Sequence, residues 1–203
     1  MESNGHSNGQ GERYEVREHD VLIIGAGGAG LRAAVSAAED HGLSVGIVTK
    51  SLLGKAHTVM AEGGIAAAVG NVDREDSWRQ HFIDTMKSGK FLNNWQMVET
   101  FAKEAPDRVI ELEQWGALFN RTPEGKISQR AFGGHTYRRL SHVGDRTGLE
   151  LIRTMQEKVL ATDAKVYMET TLTKLLKTNG RVVGALAYTR ESGKFIHFKA
   201  KAV

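Results

Sequence analysis

The chain has 203 residues, of which 40% are hydrophobic and 25% charged, and a formal net charge of +3. This is the composition of a globular protein long enough to bury a substantial core. It contains no cysteine, which excludes disulfides, thiolate nucleophiles and cysteine ligation of zinc or iron–sulfur clusters by this chain. The sequence has no block of like charges, so it gives no support to nucleic-acid binding. It also has no apolar run long enough to predict a transmembrane helix.

The N-terminal part of the sequence predicts a tail followed by a βαβ unit. Residues 1–18 are rich in Gly, Asn, Ser and Glu and have no apolar core, so we expect a disordered tail, with the structured region spanning 19–203. The apolar run at 20–25 predicts a strand, the alanine-rich stretch ending at Gly42 a helix, and "LSVGIVTK" a second strand. This order indicates a parallel sheet.

The middle of the chain has helical periodicity. Trp78, Phe82 and Met86 recur every four residues, and a longer stretch from about residue 93 to 116 repeats apolar residues at helical spacing. Pro106 interrupts that stretch, which predicts two helices with the proline in the first turn of the second. The segment "TGLELIRTMQEKVL" predicts a further helix.

The C-terminal part changes to strand periodicity. Asn179-Gly180 is a two-residue hairpin turn signal, because both positions tolerate positive φ, and "ESG" marks a second turn. We therefore expect a three-stranded antiparallel meander. We also expect its last strand to leave an unpaired edge, since the chain stops there.

The segment "GAGGAG" matches G-x-G-x-x-G between a predicted strand and a predicted helix. In such a loop Gly25 makes the tight turn, Gly27 lets the backbone approach a pyrophosphate, and Gly30 lets the helix pack against the strand. The alternative is a tight strand–helix turn without a ligand. The usual acid about 20 residues later, which holds the ribose hydroxyls, is replaced by Thr49-Lys50-Ser51, and this departure argues against a generic NAD enzyme.

Three segments together carry a specific resemblance: "DVLIIGAGGAGLRAA", "TKSLLGKAHTVMAEGGIAAA" and "QRAFGGHTYRRLSHVGDRTG". In this order they resemble the flavoprotein subunit of succinate dehydrogenase and fumarate reductase, from about His19 to Val203. That family also has Ser or Thr before Lys at the end of the second strand. The resemblance implies an α/β fold: a Rossmann-like FAD-binding domain with an inserted helical region and the meander, truncated relative to the family.

The resemblance also implies a role for His57, which in this family's motif carries FAD covalently through the flavin 8α-methyl group. A neutral imidazole nitrogen is a nucleophile near pH 7. A histidine satisfied by hydrogen bonds within a loop is the alternative. The other FAD-binding residues implied are Gly25, Ala26, Gly27, Gly28, Ala29, Gly30, Thr49, Lys50, Ser51, Ala56, Thr58, Glu62, Gly63, Gly64, Thr170, Thr171 and Leu172.

For the dicarboxylate substrate, the resemblance implies contacts from Gly63 and Phe132. A core aromatic beside a glycine turn is an equally good interpretation of Phe132. His135 and His142 have the wrong spacing for a metal pair on one helix face, so no metal site is expected. The adjacent Arg138 and Arg139 are interpreted as solvated surface residues.

In the family the chain continues, and the arginine and histidines that bind dicarboxylate and deliver the proton lie beyond the position of Val203. We therefore expect this segment alone to be inactive. The resemblance implies an iron–sulfur subunit, membrane-anchor subunits and, indirectly, a quinone as partners, with the flavoprotein peripheral on the cytoplasmic face of the cell membrane.

Two other functions stay open at this point. An L-aspartate oxidase-like flavoenzyme resembles the chain broadly but lacks a histidine at the position of His57. A non-catalytic nucleotide-binding module would keep the glycine loop and turn nothing over. Glu62 resembles the fumarate-reductase form of the motif, but one residue does not fix the working direction.

Overall fold

The computed structural model describes residues 14–203, which form two compact units. One unit comprises the chain up to Ala56 together with Met155–Val203, and the other comprises His57–Thr154. In chain order the elements are β1 (Tyr14–Ile24), α1 (Gly28–Val35) with a π-helical turn at Ser36–Asp40, β2 (Val45–Val48), a 3-10 turn (His57–Met60), β3 (Ile65–Ala66), α2 (Trp78–Ser88), α3 (Trp95–Gln114), β4 (Gln129–Arg130), β5 (Leu140–Ser141), α4 (Thr147–Leu160), β6 (Lys165–Tyr167), β7 (Thr170–Thr178), β8 (Arg181–Thr189) and β9 (Phe195–Ala202).

The first unit is built on a six-stranded sheet in the order β6-β2-β1-β9-β8-β7. β6, β2, β1 and β9 run parallel, whereas β8 is antiparallel to both β9 and β7. The predicted parallel βαβ start and the antiparallel meander are therefore both confirmed. The β7–β8 turn has φ values of 50° at Asn179 and 77° at Gly180, as its sequence requires.

The predicted tail is wrong for residues 14–18, and residues 1–13 lie outside the described part of the chain. Tyr14 begins β1, and its partner in the parallel register is Phe195. Glu18 forms an ion pair with Lys199 at 2.8 Å. The half of β1 before Val21 pairs only with β9, about 180 residues away in the chain, so local composition could not reveal it.

The expectation that the last strand would be an unpaired edge is also wrong. β9 lies between β1 and β8 and is paired with both. The edges of this sheet are β6 and β7. The hairpin signals predict β9 only as the end of a meander, whereas the parallel partner β1 fills its other side.

Each unit has its own apolar core. In the first unit, Leu22 and Val48 of the parallel strands pack with four residues of the meander. In the second unit, α3 packs with the segment that follows β3, with the segment after the helix and with the segment that leads into β4. The buried residues are Leu22, Val48, Ala185, Ala187, Ile196 and Phe198 in the first core, and Ala67, Ala105, Val109, Ala117, Phe119 and Ile127 in the second.

α3 is one continuous helix of 20 residues with Pro106 inside it, so the predicted break at the proline is wrong. A proline removes one backbone hydrogen bond and crowds the preceding turn. Here Ala102 and Ala105 before the proline and Val109 after it are all buried on one face, and this packing keeps the helix continuous. The inserted helical region of the prediction is confirmed as α2 and α3, but it also holds a small sheet, β3-β5-β4, that was not predicted.

Among residues 14–203, no helix is long and apolar enough to cross a membrane.

Candidate functional site

The glycine loop lies at the carboxyl end of β1, where it turns into α1. Gly25 has φ of 105°, a conformation that side chains rarely adopt, and its N–H donates to the Val48 carbonyl at 2.8 Å. A Cβ on Gly30 would lie 3.1 Å from the carbonyl carbon of Gly25 and closer still to its oxygen. Both glycines are therefore required by the backbone itself, as the motif predicts.

The start of α1 is suited to an anion. Gly27 is its N-cap, has extended backbone and provides no side-chain cap, and the first turn carries no acidic residue. N–H groups at a helix start carry a partial positive charge, and an anion there gains typically about 0.3–1 kcal/mol. No acidic side chain of this first turn competes for that place.

The end of β2 meets the start of β7 within the same unit. Thr49 donates its N–H to the Tyr167 carbonyl at 3.0 Å and accepts from the Thr170 N–H at 2.9 Å. Thr49 is buried, Lys50 exposed and Ser51 half-buried. The structure thus brings together the two predicted contact segments, residues 49–51 and 170–172.

The contacts of the first residues of β7 show which of their side chains are free to bind a ligand. The hydroxyl of Thr170 donates to the Met168 carbonyl at 2.9 Å, and Leu172 packs against the first core. Of the predicted residues in this strand, Thr171 is half-buried, with no hydrogen bond from its hydroxyl among the described residues. Of the three predicted residues in this strand, Thr171 is the one whose side-chain hydroxyl is left open to a ligand.

In the second unit, residues 57–64 form a turn that is named the attachment turn after the role that the resemblance implies for His57. His57 is exposed at its start and makes no hydrogen bond, ion pair or ring contact within the described part of the chain. Glu62 is exposed at its far end. A histidine satisfied within the loop, the alternative from the sequence, is therefore not what the structure shows.

Of the two glycines that close the turn, Gly64 is required by its backbone and its packing, whereas Gly63 has room for a Cβ in ordinary contact. Gly64 has φ of 127°, and a Cβ there would lie 2.8 Å from the Ser141 carbonyl. A Cβ on Gly63 would lie 3.4 Å from the Phe132 ring. Phe132 itself is 58% exposed, so it is not a core aromatic, and the two residues predicted for dicarboxylate lie side by side.

Three residues that the sequence did not point to hold the attachment turn. Arg130 donates from Nε to the Gly63 carbonyl at 2.8 Å and from Nη2 to the Glu62 carbonyl at 2.7 Å. Thr147 Oγ1 donates to the same Glu62 oxygen at 3.3 Å, and the N–H of Gly148 donates to Ala61 at 2.6 Å. Their signal lay in the segments that carry the resemblance, "QRAFGG" and "DRTG", which spacing alone does not connect.

A buried ion cluster lies between α2 and the segment before β5. Arg139 is fully buried, so its interpretation as a surface residue is wrong. It binds Asp76 with its Nη2 at 2.8 Å and lies 3.0 Å from an Asp84 oxygen. Arg138 does point outward, where it pairs with Asp73. The side chains of the adjacent Arg138 and Arg139 thus point in opposite directions, which the sequence alone did not predict.

The cluster shifts the pKa values of its members. Burial raises the pKa of Asp76 against the opposing charge of Arg139. Burial also acts to raise the pKa of Asp84, but hydrogen bonds from Thr136 and Gln80 and the charge of Arg139 outweigh it, and that pKa is lowered. Burial, aided by Arg139, lowers the pKa of His81 to about 4, so this histidine is neutral at physiological pH.

Within the described residues no group of three or more His, Asp or Glu side chains could hold a metal ion.

The sequence matches a known protein family over nearly all of its described length. A family model described as "FAD binding domain" matches residues 20–203. The chain belongs to this FAD-binding family. The predicted resemblance is likewise confirmed, because the relatives and the similar structures include flavoprotein subunits of succinate dehydrogenase and fumarate reductase.

Among curated proteins, the FAD-binding chain is 46% identical over 189 residues to one of the subunits of fumarate reductase (CoM/CoB) from Methanothermobacter marburgensis, covering 93% of this chain and 34% of the relative. It is 39% identical over 200 residues to the succinate dehydrogenase flavoprotein subunit of Rickettsia bellii, covering 94% and 33%. The chain therefore spans about a third of the length of the curated relatives it matches.

Among solved structures, the apo Sdh1 complex of Mycobacterium smegmatis contains a chain that is 58% identical and superimposes with a TM-score of 0.89, covering 93% of this chain and 34% of that one. The E. coli quinol fumarate reductase gives 31% identity and a TM-score of 0.88, covering 93% and 33%. These TM-scores show that the chain shares the fold of these proteins as well as sequence similarity.

The residues of the FAD-binding chain fit the cofactor. The start of α1, which has no side-chain cap and no acidic side chain, suits a pyrophosphate, and a Cβ at Gly30 would push the helix away from the loop. Thr49-Lys50-Ser51 and the start of β7 lie at the carboxyl end of the parallel strands, the edge at which such sheets bind nucleotides. The site residues in the attachment turn belong to the other unit.

Proposed function

We propose that this chain acts within an enzyme that interconverts succinate and fumarate, with FAD attached covalently to His57. The observation that carries the proposal is the attachment turn. It presents an exposed imidazole that has no partner among the described residues, and it ends in two glycines, one of which packs on the exposed ring of Phe132. FAD, when bound, supplies the chemistry of accepting a hydride from succinate or giving one to fumarate.

Each part of the chain has a defined task in this proposal. The loop from Gly25 to Gly30 binds the pyrophosphate through backbone N–H groups. Thr49, Lys50 and Ser51, with β7, contact the adenosine end of the cofactor. Gly63 and Phe132 line the dicarboxylate side, where the missing side chain of Gly63 leaves the backbone accessible to substrate.

The attachment itself is a nucleophilic step. A ring nitrogen of His57 would form a bond to the flavin 8α-carbon in place of one methyl C–H bond, whose proton would leave and whose two electrons would have to pass to an oxidant. The imidazole would give up its own N–H proton, and fumarate or dioxygen would accept the two electrons. The imidazole must be neutral to react, because its ring nitrogen then has a free lone pair.

The proposal includes partners. The chain has no cysteine, so electrons leaving the flavin singly would pass to an iron–sulfur subunit, and from there to quinone through membrane-anchor subunits. The flavoprotein would then be held at the cytoplasmic face of the cell membrane by these partners. The similar structures from M. smegmatis and E. coli, which are an Sdh1 complex and a quinol fumarate reductase, support this assembly.

The test uses the protein expressed from its whole gene, with and without His57→Ser. Acid precipitation should give a yellow pellet only with His57, because serine is a far weaker nucleophile at neutral pH. FAD should still bind the variant. Loss of the electron-withdrawing imidazole should lower the flavin potential, so succinate oxidation should fall far more than fumarate reduction; about 30 mV corresponds to a tenfold change in the two-electron equilibrium.

A yellow supernatant from the wild type would show that the flavin is bound but not attached, as in an L-aspartate oxidase-like enzyme. Colourless fractions would favour a nucleotide-binding module without flavin. Equal losses in both directions for His57→Ser would show that His57 does not act through the potential.

A further inference from the structure

The backbone of the attachment turn lies directly on the first turn of α4. The N–H of Gly148 donates to the Ala61 carbonyl at 2.6 Å. A Cβ on Gly148 would lie 2.7 Å from the nitrogen and 2.9 Å from the oxygen of Ala61, and closer still to the carbonyl oxygen of Thr58. Real Cβ atoms essentially never come within 3.0 Å of another atom. Any side chain at position 148 must therefore displace the turn or the helix.

The far end of the same turn is held by side chains. The guanidinium of Arg130 binds the carbonyls of Glu62 and Gly63 through two separate N–H groups. Thr147, 1% exposed, donates to the Glu62 carbonyl and accepts from the Val143 N–H at 3.1 Å. Arg130, Thr147 and Gly148 are here named the seat of the turn.

The contact of Arg130 with Asp145 does not explain its placement. The distance is 3.3 Å and the Asp145 side chain is 85% exposed, so this pair is a surface ion pair of the kind that contributes little. Hydrogen bonds from a charged donor to two carbonyls are the stronger interaction. The guanidinium is therefore held mainly by its hydrogen bonds to the turn and not by the surface ion pair with Asp145.

His57 has no comparable support of its own. Its side chain is exposed and without polar or ring partners among the described residues, so within this part of the chain the backbone of the turn is what limits where its ring nitrogen can lie. Thr58, the neighbour of His57, and Ala61 are the residues that a Cβ on Gly148 would strike. The seat thus acts at the position next to the nucleophile.

We propose that the seat positions His57 for bond formation with FAD, so that Arg130, Thr147 and Gly148 are positioning residues for covalent attachment. The inference rests on the attachment proposed above. A displacement of about 1 Å in a reacting group can slow a reaction on the order of a hundredfold. The seat should therefore control how fast the bond forms, while noncovalent FAD binding, which depends on the glycine loop, is unaffected.

The test compares Gly148→Ala with Gly133→Ala in the protein expressed from its whole gene. Gly133 is exposed, and a Cβ there would have nothing within 4 Å, so the control adds the same methyl group without a clash. Protein prepared from riboflavin-limited cells is mixed with FAD. Total flavin, flavin fluorescence on a denaturing gel and the melting temperature are then measured over time.

Gly148→Ala should bind FAD as the control does but attach it on the order of a hundredfold more slowly. Arg130→Met provides a second variant without a clash. It removes both hydrogen bonds to the turn and should slow attachment several-fold, with Arg130→Lys, which restores one donor group, falling between it and the wild type.

Attachment at the wild-type rate in both Gly148→Ala and Arg130→Met would overturn the proposal. So would a loss of total flavin in step with covalent flavin, since that pattern marks a structural role only. If the wild type shows no fluorescent band, the attachment to His57 is itself wrong and the inference falls with it; a normal band in the wild type and in both variants rejects the seat alone.

Discussion

The glycines of the first loop are needed because they have no side chain. Gly27 caps α1 without a side chain, and Gly30 packs on the backbone of Gly25. Gly27→Val should abolish FAD binding, because a branched side chain would occupy the place of the pyrophosphate. Ala33→Val puts the same side chain at an exposed position of the same helix and should retain FAD. Total flavin in the purified proteins is the measurement, and flavin retained at wild-type level by Gly27→Val would refute this role.

Arg139 neutralises two carboxylates that are themselves buried, Asp76 and Asp84. Arg139→Met should cost about 3–5 kcal/mol of unfolding free energy, because removing one partner leaves uncompensated buried charge. The matched Arg138→Met removes the exposed pair with Asp73 and should change stability little. Urea unfolding at neutral pH measures both. Similar small losses in the two variants would mean that the buried cluster does not stabilise the fold.

At the level of elements, α3 contains an internal proline that its packing tolerates. Pro106→Ala should raise stability, by at most about 3 kcal/mol, since it restores a helix hydrogen bond and removes a steric clash. The chain's other proline, Pro123, lies in the turn between Thr122 and Gly125. Pro123→Ala should instead lower stability by about 0.4–1 kcal/mol, through greater freedom of the unfolded chain. Melting temperatures that move in the same direction would contradict this account.

The elements that the sequence predicts are those with local signals. The βαβ unit, the Asn179-Gly180 hairpin and the site glycines follow from patterns within a few residues of each other. The start of β1 and β9 pair with each other although they lie at opposite ends of the chain. The sequence of neither segment alone shows this pairing. The burial of Arg139 likewise depends on acids more than 50 residues away.

The same limit applies to the site. Gly63 and Phe132 could be named from the family resemblance, but that their contact is direct comes from the pairing of β3 with β5 and of β5 with β4. Arg130 and Gly148 were not predicted, because a residue that donates to a distant backbone carbonyl produces no periodic spacing, although both lie in a segment that carries the resemblance. The resemblance supplied the chemistry of His57, and the structure supplied the contacts that hold its turn.

At the scale of the whole molecule, the chain spans about a third of its curated relatives. It offers no arginine or histidine that we assign to dicarboxylate binding or proton delivery. Residues 1–203 alone, with added FAD, should therefore show no succinate-dependent dye reduction and no fumarate-dependent dye oxidation, whereas the protein expressed from its whole gene should show both. Dicarboxylate-dependent turnover by the 203 residues would mean that the chain carries its own catalytic groups.

The central claim, that this FAD-binding chain carries its flavin on His57, is tested most directly by peptide mapping. Trypsin cleavage after Lys55 and Arg74 releases a peptide, residues 56–74, in which His57 is the single histidine, with no tyrosine or cysteine. In the protein expressed from its whole gene, this peptide should fluoresce, carry the mass of the flavin, and fragment with that mass on His57. Flavin on any other peptide, or released entirely free on denaturation, would contradict the account.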